Sequence, residues 1–500
     1  MTDPTSHISR RTVVTGAAVA VPAVALLATT PAFAASGGPT VTTSAPNGQA
    51  TAGDATAITA LVKDAAGQPV AGQSVSFSGP NGTSFSPTAA TTGSDGRATS
   101  NMTITDPWAK PGSTVTASAT ALGVTGTSGI TVLGANAYAV GRNYYNDPRQ
   151  TAKLYGKLGT GSTDEHPTIP AQLLRVFPSP IVTIADSRDH ALALLEDGTV
   201  WALGRNNNGQ LGDGTFVTRS TWAPVHNLVN VTQIAASSAS SYALLSDGTV
   251  MAWGSNYQGR LGTSTGANDY SSLPVAVNNP GPAAQIAAGA FSGYAVLRNG
   301  TVRAWGDNTK GQLGNTKPQD DQTSPVTVAS VQNAVQVTGA ARSAYALLQN
   351  GTVKAWGETI GTSSSSTNTT AVTVDGVAGA TALAAGDRCV YALLNDHTIL
   401  AWGDNEKGQL GSGTWDSSTN PVSVSDISDA KIISSSYGSG FVIRESGSIA
   451  DWGWNEDGQL GDGTTADKNA PIPMNGGMTN VVRFGTPSPM PASGWFIRST

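Results

Sequence analysis

Five hundred residues carry 27 Lys and Arg against 33 Asp and Glu, a net charge of −6, and only 12% of them are charged. That length suffices for a small domain and a large one, while the acidic balance and the lack of any basic run exclude a nucleic-acid partner on electrostatic grounds. One cysteine, Cys389, excludes a disulfide framework and is read as a partly covered strand-end residue, not a nucleophile.

Residues 1–35 read as a processing signal. Ser9–Val14 holds the pair Arg10-Arg11, an Ala/Val/Leu run follows to Leu27, and Ala32-Phe33-Ala34 supplies a small-x-small cleavage site. The apolar run is too short for a spanning helix and is broken by Pro22. The pattern is that of a twin-arginine leader, which exports folded proteins. A bacterial, secreted or cell-surface location follows, with no membrane insertion of the mature chain.

Residues 36–133 change character. Short alternating runs at Thr56–Val62, Ser74–Phe77, Ala98–Ile104 and Ser113–Ala119 are separated by turn clusters at Asp64–Gly67, Gly79–Gly82 and Gly93–Gly96. That spacing is expected of a small antiparallel sandwich. The stretches Val62–Phe77 and Thr92–Ala98 resemble bacterial immunoglobulin-like domains of the invasin type, which implies a stalk or spacer.

From residue 134 to 500 a repeat takes over. Its clearest copies are Thr249–Gly262, Thr301–Gly314, Thr398–Gly411 and Ser448–Gly461. The anchoring glycines Gly141, Gly204, Gly254, Gly306, Gly357, Gly403 and Gly453 follow one another at intervals of 46 to 63 residues. A unit of this size cannot bury its apolar face alone and stacks on its neighbours. Within a unit the apolar pattern has period two, and Asp-Gly or Asn-Gly supplies the positive φ of a tight hairpin. A fourth strand is expected at Leu273–Val277, Ser324–Val328 and Asn420–Val424, with Pro near its start. The fold class is therefore all-β: a seven-bladed β-propeller preceded by a small immunoglobulin-like β-sandwich. Ala137–Gly141 matches the strand that normally ends in Trp-Gly, and Ser493–Arg498 matches the strand before it. Head and tail are expected to share one blade and close the ring.

The repeat resembles the regulator of chromosome condensation family, whose blades read Asp-Gly-Thr-Val-x-Ala-Trp-Gly, Gly-Gln-Leu-Gly and Pro-Val. The fifth unit departs: after Trp356-Gly357 the chain runs through Ser and Thr with no Gly-Gln-Leu-Gly. That resemblance implies guanine-nucleotide exchange for chromatin-bound members, which an acidic exported chain does not suit. The repeat is also similar to the secreted bacterial β-lactamase inhibitory proteins of propeller type.

Chemistry is sparse. The histidines do not recur with the repeat, and no nucleophile elbow, zinc motif or phosphate loop is present. No enzyme activity, metal or cofactor is implied. Asn455–Gly458 with Asp462 is read as turn chemistry rather than a calcium loop. The repeated Asn143, Asn206, Asn256, Asn308, Asn405 and Asn455 are likewise read as turn formers, and the blade tryptophans as core between blades.

Strand direction sends the loops after Ile-Ala-Ala-Gly and after Trp-Gly to one rim. Tyr144, Tyr145, Tyr257, Phe291, Tyr437 and Trp454 fall there with Arg188, Arg342 and Arg388. Aromatics and Arg carry much of the energy in protein interfaces. The function expected is a monomeric, exported, non-catalytic binding protein whose rim recognises an extracellular protein or cell-wall component. The alternatives are an inhibitor of a β-lactamase or penicillin-binding enzyme, and a glycan-binding propeller, which needs an aromatic and a carboxylate together in each blade.

Overall fold

The computed structural model describes residues 38–45, 49–51, 55–104, 114–133, 136–145, 154–173, 177–263, 269–317, 319–358, 367–474, 478, 481–486, 489 and 493–498. The leader and most of the Ser/Thr loop of the fifth unit lie outside them. The described residues fall into two compact units that part near residue 131.

The first unit is a sandwich. One sheet orders Thr40–Ser44, Ala55–Lys63, Arg97–Ile104 and Thr83–Ser86; the other orders Gln49–Thr51, Val124–Leu133, Thr114–Ala121, Ser74–Ser78 and Ala89–Thr91. Burial alternates along Thr40–Ser44 and Ser74–Ser78, as a half-covered strand requires. The buried set includes Ile58, Val62, Val75, Phe77, Met102 and Ile130.

The second unit is a seven-bladed propeller of four-stranded antiparallel sheets. We number the blades by their anchoring glycines, so blade 1 contains Gly141 and blade 7 contains Gly453. Blade 3 is representative: Val231–Ala236 is innermost, then Ser240–Leu245, Val250–Ser255 and the outer Tyr270–Ala276. Blade 1 takes Val481–Phe484 and Ser493–Arg498 from the tail, and Ala137–Gly141 and Ala171–Gln172 from nearer the head. Ala137 pairs with Ile497 and Gly141 with Ser493, so the ring closes as the repeat ends predict.

The outer strands begin earlier than their proline suggests. They run Tyr270–Ala276, Gln322–Thr327 and Ser418–Ser423, which puts Pro274, Pro325 and Pro421 inside the strand. Each sits opposite the Trp of the third strand where the register slips, between Ala252 and Gly254 in blade 3. An edge strand at an irregularity can lose an N–H without orphaning a partner.

Between blades the core is apolar, with a tryptophan in each of five clusters. Trp253, Trp305, Trp356, Trp402 and Trp452 are all fully buried, each against residues of the preceding blade. Tyr242 meets Trp305 edge-on, and Tyr391 meets Trp452 the same way, at 6.0 and 5.6 Å between centroids. The innermost strands are stitched by glutamine. Gln233, Gln285 and Gln336 each donate to a main-chain carbonyl and accept from a main-chain N–H of the next blade, at Ile286, Val337 and Leu383.

Candidate binding face

The Trp-Gly signature has a steric cause that also builds the rim. Gly403 has φ +121°, and a Cβ there would lie 2.1 Å from the carbonyl oxygen of Arg388. Only glycine lets the third strand approach the hairpin loop this closely. The residue after each glycine then donates its N–H to that loop: Arg205 to Asp189, Ser255 to Ala239, Asp307 to Phe291, Glu358 to Arg342, Asp404 to Arg388 and Trp454 to Gly438, all between 2.8 and 3.1 Å. The main-chain bond is constant from blades 2 to 7, while the side chains on it vary, repeating only Asp after the glycine in blades 4 and 6 and Arg at the acceptor in blades 5 and 6. A constant backbone frame thus carries a variable surface.

The loop asparagines do more than turn the chain. Asn206, Asn256, Asn308, Asn405 and Asn455 are fully buried, and each accepts the N–H of the Leu five residues on, at 2.8 to 3.0 Å. Their amides bond back to the loop end, as Asn455 does to Asp462 and to the carbonyls of Thr464 and Ala466. The Asp462 carboxylate accepts from the Thr464 hydroxyl and pairs with the Lys468 ammonium at 3.0 Å. Among the described residues no group of three His, Cys, Asp or Glu is arranged to hold a metal ion.

Five of the nine sequence-selected residues line one cleft of about 620 Å³: Arg188, Phe291, Arg342, Arg388 and Tyr437, from blades 2, 4, 5, 6 and 7. A second hollow of about 360 Å³ shares Arg388 and Tyr437 and adds Trp454. The Tyr437 and Trp454 rings are 5.1 Å apart. Arg388 pairs with Asp404 at 3.0 Å and Arg342 with Glu358 at 3.5 Å. Asp404 raises the Arg388 pKa further, and burial raises that of Asp387 at the cleft floor against the pull of Arg388.

Tyr257, Tyr144 and Tyr145 are not among the residues lining this cleft. Tyr257 is tied to it indirectly, because the Arg260 guanidinium lies 5.5 Å from its ring and 4.9 Å from that of Phe291. Tyr144 sits under Arg142, 4.7 Å from its guanidinium, with its edge against His166. The backbone of Tyr145 pairs with Leu154, and its side chain lies outside the described residues.

Sequence reasoning passed over Arg260 and Lys157, the two cations that replace Gln in Gly-Gln-Leu-Gly. The exception to a repeat was the available signal. Arg260, almost fully buried, bonds to the Tyr257 carbonyl and the Ser238 hydroxyl. Lys157 is buried where head meets tail: its ammonium lies 3.1 Å from Asp186 and donates to the Ser493 hydroxyl, which donates to Asp186. Burial raises the Asp186 pKa, and Lys157 opposes that rise. Cys389 is fully buried rather than partly covered, and burial pushes its thiol up to about 12.

Relatives agree with this architecture. Residues 38–133 match the bacterial Ig-like domain (group 1). The human E3 ubiquitin-protein ligase HERC2 is 41% identical over 61 residues, which is 12% of this chain and 1% of the ligase. Yeast RCC1 (Prp20), solved bound to Kap60, superposes with a TM-score of 0.62 at 19% identity, over 73% of this chain and 90% of that one. Human WBSCR16 gives 0.60 at 18% identity, over 73% of this chain and 100% of its own. At such identities the likeness speaks to the fold. No helix among the described residues is long and apolar enough to cross a membrane. The repeat itself is matched over residues 152–487, two thirds of the sequence, and the chain belongs to the RCC1-like domain family.

Proposed function

We propose that this chain is an exported, non-catalytic binding protein whose propeller recognises a protein or cell-envelope ligand on the face carrying the hairpin loops and the loops after Trp-Gly. In this reading residues 1–35 are a twin-arginine leader, residues 36–133 a spacer and residues 134–500 the binding unit, which acts as a monomer without a cofactor. One observation carries the proposal. A backbone frame repeated from blade to blade carries side chains that vary, and five residues on or beside it, two aromatic and three guanidinium, converge on one cleft. Chemistry concentrated where the scaffold is constant is how a loop surface acquires specificity.

The experiment is capture from culture fluid and envelope fractions by the full chain, repeated with Tyr437→Ala plus Trp454→Ala and with Trp415→Ala. Trp415 is an exposed aromatic that lines neither hollow. The proposal expects a species lost with the double variant and kept by Trp415→Ala. Equal capture by all three proteins removes it.

A further inference from the structure

One cation of the cleft, Arg188, has no ion-pair partner among the described residues. Arg342 and Arg388 each hold an acid of their own blade, Glu358 and Asp404. Arg188 is exposed, and among the described residues no hydrogen bond or ion pair engages its guanidinium. Asp387, the remaining acid of the cleft, is coupled to Arg388 and Arg342.

Two aromatic rings line the cleft with this charge: Phe291, 4.9 Å from the Arg260 guanidinium, and Tyr437, tilted against Trp454 at 5.1 Å. Because the lining comes from five blades, the cleft lies over the mouth of the ring, open to a convex object rather than to a flat strand edge.

Resting on the binding-face reading, we infer that the ligand is a protein whose projecting loop sets an Asp or Glu carboxylate on Arg188 and an apolar side chain between Phe291 and Tyr437. Charge complementarity selects the carboxylate. A guanidinium presents its donors in a fork that matches two carboxylate oxygens, and the lining rings desolvate the pair. A phosphate or sulfate would engage several cations together, but two of the three arginines are already held by acids. A neutral glycan would leave Arg188 without a counter-charge.

The test is selection from a displayed library of disulfide-closed ten-residue loops on the immobilised full chain, followed by affinity measurement on synthetic copies. The expected winners share an Asp or Glu beside an aromatic or aliphatic residue. Exchanging that acid for its amide, or Arg188 for Ala, should each weaken binding at least tenfold, and the two together should weaken it no further. The melting temperature of Arg188→Ala should match wild type, since its side chain is exposed. Winners without a shared acid, additive losses or a library that yields no binder would overturn the inference. Loops indifferent to Arg188 yet lost with Phe291→Ala and Tyr437→Ala would overturn it while leaving the face reading intact. Indifference to all three substitutions would remove both.

Discussion

The indole N–H of Trp253 donates to the main-chain carbonyl of Gln210, one blade earlier, at 2.9 Å. Trp305, Trp356 and Trp452 make the same bond to Arg260, Gln312 and Gln409. In this way the loops of blades 2, 3, 4 and 6 are each clasped by the tryptophan of the next blade. Trp402 has no such partner among the described residues, because blade 5 ahead of it lacks the loop.

Substitution separates this bond from ring packing. Trp356→Phe and Trp402→Phe remove equal ring volume from equally buried sites, but only the first gives up a hydrogen bond to a described residue. Trp356→Phe is expected to cost about 1 kcal/mol more than Trp402→Phe, and either Trp→Ala change about 3–5 kcal/mol. Urea melts of the four variants check the order; equal costs for the two Phe variants would refute the clasp.

Asp451 occupies the third-strand position held by Ala in the other blades, namely Ala139, Ala202, Ala252, Ala304, Ala355 and Ala401. It is fully buried, and neither carboxylate oxygen has a hydrogen-bond partner among the described residues. Burial, with Asp462 nearby, raises its pKa well above the ordinary 3.8. The folded state thus keeps a proton that the unfolded chain gives up above about pH 4. Folding is therefore penalised increasingly as pH rises through that range. Asp451→Ala should raise the melting temperature at pH 7 and change it far less at pH 4, and a gain independent of pH would contradict the assignment.

His190 works in the opposite direction. Ser241 donates to the Gln210 carbonyl and so accepts from His190 Nε2 at 2.8 Å, while Ser187 donates to His190 Nδ1 at 2.8 Å. Burial and the charge of Lys157 lower its pKa from 6.5 to about 3. Below pH 6.5 the unfolded chain gains a proton that the folded chain refuses. Stability should fall as pH drops toward 3, by up to about 1.4 kcal/mol per unit from this group. The imidazole resonances of His190, assigned by their loss in His190→Gln, should not move between pH 8 and 5. Titration near 6.5 would show that the ring is not held neutral.

Closure rests on the pairing of Ala137–Gly141 with Ser493–Arg498. A chain ending before Ser493 loses Trp495, Phe496 and Ile497 from two apolar clusters and bares two strand edges. It should elute as aggregate in size exclusion; a soluble monomer with a cooperative melt would argue against closure.

The surface ion pair offers a contrast. The side chains of Arg388 and Asp404 are 59% and 36% exposed, so water screens their attraction. Arg388→Ala should alter stability by no more than about 1 kcal/mol. A larger loss in a urea melt would give the pair a structural role.

Blade number, ring closure and the rim loops were legible in the residues because each follows from a local rule. Period-two patterning makes strands, Asp-Gly makes hairpins, and a strand's direction decides where its loops emerge. The outer-strand starts were misread because a register slip opposite the Trp seats a proline inside the strand, and a slip depends on two strands at once. Cys389 was expected to be partly covered for the same reason: its burial comes from neighbouring chain, not from its own strand.

The amino-acid order by itself thus determined which segments become strands, how many sheets stack and which termini meet, since all three follow from spacing along one chain. Only tertiary structure decided that Arg188, Phe291, Arg342, Arg388 and Tyr437 share a cleft while Tyr144 and Tyr257 stand outside it. It alone also decided that Lys157, Asp186 and Ser493 meet in the closing seam. Those residues are brought together by rotation about the ring axis, and distance around a closed ring is not encoded in separation along the sequence.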